Sequence, residues 1–125
     1  MVFYKCEKCG NIVTFIERKC ECVPKCCGET MVEINPNTTD AAREKHVPEV
    51  CVEGNTVKVQ VGSVIHPMLD AHYIGFIGLE TSEGYYQKNL KPNMEPVAVF
   101  NLNDGEKPVA VYENCNLHGM WKKEL

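Results

Sequence analysis

Thr56-Val57-Lys58-Val59-Gln60-Val61 alternates without interruption, with Val57, Val59 and Val61 on one face and polar residues on the other. A period of two is the mark of a strand with one buried face. Similar candidates follow at Tyr73–Leu79, Tyr85–Leu90, Val97–Leu102 and Val109–Tyr112, rich in β-branched and aromatic residues, and Glu49–Val52 precedes them. Turn signals separate them at Glu53-Gly54-Asn55, Ser82-Glu83-Gly84, Lys91-Pro92-Asn93 and Asn103-Asp104-Gly105. Short strands at this spacing predict a small antiparallel β-sandwich. Helical periodicity is confined to one short turn, Ala41-Ala42-Arg43-Glu44, with Thr39 or Asp40 as its cap.

The sandwich does not account for the first third of the chain. Of eight cysteines, six lie between Cys6 and Cys27, and the others are Cys51 and Cys115. The composition shifts near Asn35-Pro36-Asn37-Thr38. Two domains are therefore expected, residues 1–36 and residues 37–125. The first is too small to hold together by apolar burial, since segments below about 40 residues need metal ions or disulfides. Met1–Cys6 lacks the basic and apolar regions of a secretory signal, so the cytoplasm is the expected compartment and metal ligation the expected use of these thiols. No apolar run reaches the roughly 20 residues of a membrane span, and the net charge of −4 argues against non-specific nucleic-acid or membrane binding.

Cys6-Glu7-Lys8-Cys9-Gly10 has the form of a metal knuckle, two thiolates three residues apart with a glycine behind them. Cys26 and Cys27 are adjacent and are followed by Gly28, so they form the second pair. Four thiolates suit zinc or a single iron, and spacing does not separate the two. Cys20 and Cys22 are read as loop thiols outside this set, and Cys51 as a small buried residue in its strand.

All four histidines lie in loop-like settings: His46 before Val47-Pro48, His66 before Pro67, His72 after Asp70-Ala71, and His118 in Cys115-Asn116-Leu117-His118-Gly119. Singly, each is more often a hydrogen-bonded structural residue than a ligand. Together with Cys115 they make five ligands, one short of an octahedron. Four neutral nitrogens and one soft sulfur suit iron(II), whereas zinc rarely takes five protein ligands and blue-copper sites use two histidines and a cysteine. A square of imidazoles with an axial thiolate would leave the sixth position open opposite sulfur.

These motifs resemble the desulfoferrodoxin family, the two-iron form of superoxide reductase, over nearly the whole chain. Glu44-Lys45-His46-Val47-Pro48, Gly62–Met68, His72 and Cys115–Gly119 are similar to the family's iron-site motifs, in the same order, and Cys6–Gly10 with Cys26–Glu29 to its desulforedoxin-type module. The resemblance implies an N-terminal rubredoxin-like iron bound by Cys6, Cys9, Cys26 and Cys27. It implies an immunoglobulin-like sandwich whose second iron is bound by His46, His66, His72, Cys115 and His118, the last through Nδ1. It further implies a homodimer, superoxide as substrate reduced to hydrogen peroxide, and a rubredoxin-type electron donor. Lys45 would attract the anion and Glu44 would take the sixth position of the ferric ion. An inert electron carrier, a zinc-stabilised binding module and a dismutase are the competing readings. Two features depart from the family pattern: the extra pair Cys20 and Cys22, and Glu49 and Cys51 after His-Val-Pro.

Overall fold

A computed structural model describes residues 1–38 and 46–125. The expected helical turn at residues 41–44, together with Glu44 and Lys45, lies outside the described residues. The described residues contain strands and no helix, and they divide into two compact units, Met1–Asn35 and Pro36–Leu125.

In the first unit, β1 (Phe3–Lys5) lies between β2 (Ile12–Thr14) and β5 (Val32–Glu33), antiparallel to both. A separate hairpin pairs β3 (Lys25–Cys26) with β4 (Glu29–Thr30). The residues between them, Cys27 and Gly28, both have positive φ, 52° and 76°. Positive φ at both central positions defines a type I′ turn, whose twist matches the flanking strands. The local core is Tyr4, Cys6 and Met31, with Cys26 packed against them. Such a core is minimal, as the length of the unit predicts.

The second unit is the sandwich. One sheet has the order β10 (Val97–Asn101), β7 (Thr56–Val61), β6 (Pro48–Glu53). The other has the order β12 (Gly119–Glu124), β11 (Pro108–Cys115), β8 (Ile74–Thr81), β9 (Tyr85–Asn89). Every pairing is antiparallel. Val57, Val59 and Val61 are fully or almost fully buried and meet Ile74, Ile77, Leu79 and Val111 of the facing sheet. Each buried side chain of this size contributes about 1.5–3 kcal/mol relative to exposure.

Two details differ from the sequence reading. Cys51 is exposed, not buried. It lies on β6, an edge strand, and points away from the core beside half-buried Val50. The strand β12 was not anticipated: Met120 is buried, but Trp121, Lys122 and Lys123 are all half-buried, so the stretch lacks a clean alternation.

Candidate metal centres

The first cluster forms where the knuckle loop meets the β3–β4 turn. The amide N–H of Gly10 donates to the Cys6 carbonyl and that of Cys6 to the Asn11 carbonyl, both at 2.9 Å, so the loop closes on itself. Gly10 takes φ +80°, which side-chain-bearing residues rarely adopt. The left-handed backbone of Cys27 turns its side chain back toward that of Cys26, which lets adjacent residues reach one point.

The four sulfurs lie within 4.8 Å of one another. Cys9 Sγ and Cys26 Sγ are 3.6 Å apart, and Cys26 Sγ and Cys27 Sγ 3.9 Å. Four thiolates held tetrahedrally at about 2.3 Å from one ion stand about 3.8 Å apart. The charges agree. The Cys9 backbone N–H above all brings the Cys6 thiol down to about 7. The neighbouring thiol of Cys9 pushes Cys26 up, and the thiols of Cys9 and Cys26 push Cys27 up to about 12. One thiolate forms readily, and Cys26 and Cys27 resist following it. Full deprotonation calls for a cation among them.

The second cluster lies at one end of the sandwich. His46 immediately precedes Val47 and the buried Pro48 that opens β6. His66 follows the turn after β7, where Gly62 has φ +81° and the His66 amide donates to the Val61 carbonyl at 3.1 Å. His72 precedes β8 and is paired through its backbone with Leu69. Cys115 ends β11 and faces Gly119 at the start of β12, leaving a three-residue hairpin loop, 116–118, that carries His118. Gly119, the first residue after the loop, has φ +81°, a left-handed conformation that glycine adopts without strain. The register of β11 against β8 shifts between Asn114 and Cys115, a bulge of the kind that re-aims side chains beside functional sites.

The imidazoles form a closed ring. Centroids are 4.8 Å apart for His46–His66, 4.6 Å for His66–His72, 5.0 Å for His72–His118 and 4.9 Å for His46–His118. The diagonal His46–His72 is 6.5 Å, close to the ratio of diagonal to edge in a square. Neighbouring rings are steeply inclined, by 62° to 82°. His46 Nε2 and His118 Nδ1 are 3.1 Å apart. Two nitrogens at right angles on one ion, each about 2.1 Å from it, would be about 3.0 Å apart. His66 Nδ1 is 2.6 Å from the Pro67 carbonyl oxygen. That oxygen only accepts, so Nδ1 carries the proton and Nε2 presents its lone pair to the ring's centre.

Cys115 belongs to the hydrophobic core and is 1% exposed, while His118 is exposed. Its sulfur is 3.7 Å from His118 Nδ1 and lies within 4.8 Å of the ligand atoms of His46, His66 and His72. Cys115 thus stands on the core side of the cluster and His118 on its exposed side.

Two residues that the sequence reading passed over hold this geometry. The Trp121 ring stacks on His46 at 4.7 Å and 14°. The Asn116 side chain accepts from the Tyr73 amide at 2.8 Å and donates to the Ala71 carbonyl at 3.0 Å, gripping the backbone on both sides of His72. An asparagine inside Cys-Asn-Leu-His is a signal for such a brace, since its amide readily bonds loop backbone.

The fold and its two clusters define an all-β metalloprotein with a four-thiol centre in a small unit and a four-imidazole, one-thiol centre in a sandwich. The donor sets fit one metal ion each. A family model described as Desulfoferrodoxin matches residues 38–124, and the chain belongs to that family. The chain is 46% identical to a desulfoferrodoxin of Syntrophotalea carbinolica over 97% of this chain and 94% of that one. It is 47% identical to a desulfoferrodoxin of Desulfarculus baarsii, with the same coverage. Among solved structures, the superoxide reductase from Treponema pallidum matches with a TM-score of 0.84 and 32% identity, covering 98% of this chain and 97% of that one.

Proposed function

We propose that the protein is a superoxide reductase that converts superoxide to hydrogen peroxide with one electron and two protons per molecule. The observation that carries this reading is the square of imidazoles gathered with a buried sulfur, with His118 on the exposed side of the cluster. The likeness to the superoxide reductase of Treponema pallidum supports it. In our reading both centres hold iron. Ferrous iron in the second would supply the electron and an exchangeable coordination position.

His46, His66, His72 and His118 would be the neutral ligands and Cys115 the anionic one. A single thiolate leaves the ferrous site with a net positive charge, which favours an anionic substrate. The buried surroundings of Cys115 keep water from its sulfur and preserve its donor strength. Lys45, next in the chain to His46, is assigned the attraction of superoxide and the delivery of a hydrogen bond to the reduced product. Glu44 is assigned the sixth position of the ferric form, a hard cation that accepts carboxylate. A rubredoxin-type protein would return the electron, and the active form would be a cytoplasmic homodimer. The four-thiol centre would be the metal site of an N-terminal module, residues 1–36, and residues 37–125 would form the catalytic sandwich.

The test combines metal analysis with turnover. Iron-loaded protein supplied with a reductant should consume superoxide catalytically and release peroxide without dioxygen. Evolution of dioxygen would mark a dismutase, and a single stoichiometric oxidation would mark a carrier. Lys45→Ala should slow the second-order reaction with superoxide at low ionic strength and flatten its dependence on salt. An unaltered salt slope would remove Lys45 from the role of steering.

A further inference from the structure

Cys20 and Cys22 belong to neither metal cluster. They are joined by a disulfide, with Cα atoms 5.5 Å apart, and both residues are exposed. The crosslink encloses only Glu21. The restriction a disulfide places on the unfolded chain grows with the number of residues it encloses, so this one adds little to the stability of the module. Its use is therefore chemical. Exposed disulfides are the ones open to exchange, because a thiolate can reach either sulfur.

The loop is braced without the sulfurs. Arg18 Nε donates to the Cys20 carbonyl at 2.9 Å, and Arg18 Nη2 is 3.2 Å from Glu21 Oε2. The same guanidinium lies 5.5 Å over the Phe15 ring. These contacts hold Cys20 and Glu21 in place whether or not the S–S bond exists, so reduction leaves the two thiols within reach of each other. Arg18 is paired with Glu21, the acid between the two cysteines, and Lys19 with Glu17, so each charge beside the sulfurs is offset by a partner.

We infer that Cys20 and Cys22 form a third redox site, a two-electron dithiol–disulfide pair oxidised by hydrogen peroxide and reduced by an external dithiol. One thiolate attacks a peroxide oxygen. The O–O bond breaks, hydroxide leaves and takes up a proton as water, and a sulfenic acid remains. The second thiol attacks that sulfur, the S–O bond breaks, a second water leaves and the disulfide forms. Two thiols and one peroxide thus give one disulfide and two waters. An external dithiol restores the pair by exchange and is itself oxidised to a disulfide. The inference rests on the proposed superoxide reduction only for the source of the peroxide, which would be consumed on the molecule that makes it.

The experiment uses the full-length, iron-loaded protein with both centres oxidised. The protein is treated with a small dithiol and freed of it, and hydrogen peroxide is added directly. Free thiols are then alkylated in acid, and the peptide spanning residues 20–22 is weighed. The dithiol peptide should convert to the crosslinked one in proportion to peroxide, one chain per peroxide taken up beyond that of the iron centres. In Cys20→Ser, the remaining Cys22 should be trapped as a sulfenic acid by a carbon nucleophile. Cys20→Ser combined with Cys22→Ser should keep both irons and lose the peroxide uptake beyond that of the iron centres. Thiols that stay alkylatable, or a crosslink that forms equally fast without peroxide, would overturn the inference. Loss of iron from the double variant would overturn it as well, by placing these sulfurs in the four-thiol centre. Superoxide is not used, so either result is independent of whether the protein turns it over.

Discussion

At the scale of the residue, Asn116 shows how a polar side chain without metal-binding chemistry decides where a ligand stands. Its amide bonds the backbone at Tyr73 and Ala71, and the residue between them is His72. Asn116→Ala should lower metal affinity at the second centre by about 10- to 100-fold, the usual effect of losing a group that orients a ligand. Competition against a chelator of known affinity measures this. The sandwich itself should lose only about 1 kcal/mol, because the amide is exposed and its bonds are replaced by water. Glu106 plays the corresponding part far from the metals. Its buried carboxylate accepts from the Thr81 hydroxyl, from the Tyr86 hydroxyl at 2.9 Å and from the Asn103 amide at 3.0 Å. Donation from Thr81, ahead of the other bonds, holds its pKa below the usual carboxylate range. A folded value below the unfolded one gives stability that is complete above the unfolded pKa, about 4.3 for glutamate, and that fades as pH falls through the folded value. Melting temperatures of the natural protein and Glu106→Gln should therefore differ most near neutrality and converge in acid.

At the scale of the element, the hairpin β11–β12 carries two of the five second-centre groups, Cys115 at the end of β11 and His118 on the loop that follows. Gly119 closes that loop at φ +81°, where any other residue is strained. A Cβ there has open space around it, so the cost of Gly119→Ala is that of the backbone alone, about 1 kcal/mol or somewhat more. If the second centre holds iron as proposed, visible absorption from the thiolate–metal pair should shift in Gly119→Ala while circular dichroism of the strands is retained. An unchanged spectrum would mean that the loop tolerates the strain without moving Cys115 from His118. Elements also set what could be read in advance. Thr56–Val61 was legible because both its neighbours are strands and its valines all face one core. Cys51 was misjudged because edge position is a property of the sheet order and not of the local sequence. β12 was missed because its side chains are graded in burial instead of alternating. Histidines are few and the cysteines that meet fall in short motifs with glycine behind them, so the groups gathered in both clusters were visible. The cyclic order of the imidazoles, the proton on His66 Nδ1 and the stacking of Trp121 depend on segments far apart in the chain, and no local pattern encodes them.

At the scale of the whole molecule, the two units rest on different forces. Met1–Asn35 has a core of three buried residues and a four-thiol cluster, whereas Pro36–Leu125 has an apolar interior spanning both sheets. Cys9→Ser should therefore cost the first unit its folded state, seen as loss of amide-exchange protection at Tyr4 and Met31, while protection at Val57, Ile77 and Val111 persists. Retained protection at Tyr4 would show that the small unit stands without its metal. The second cluster has another mechanical consequence. His46 and His66 flank the strands of one sheet, and His72, Cys115 and His118 flank those of the other. An ion gripped by all five would rivet the two layers at that end, so that pulling them apart requires rupturing coordination bonds as well as parting an oily seam. Stretched as a single molecule, the sandwich would yield at a force that reports its metal content.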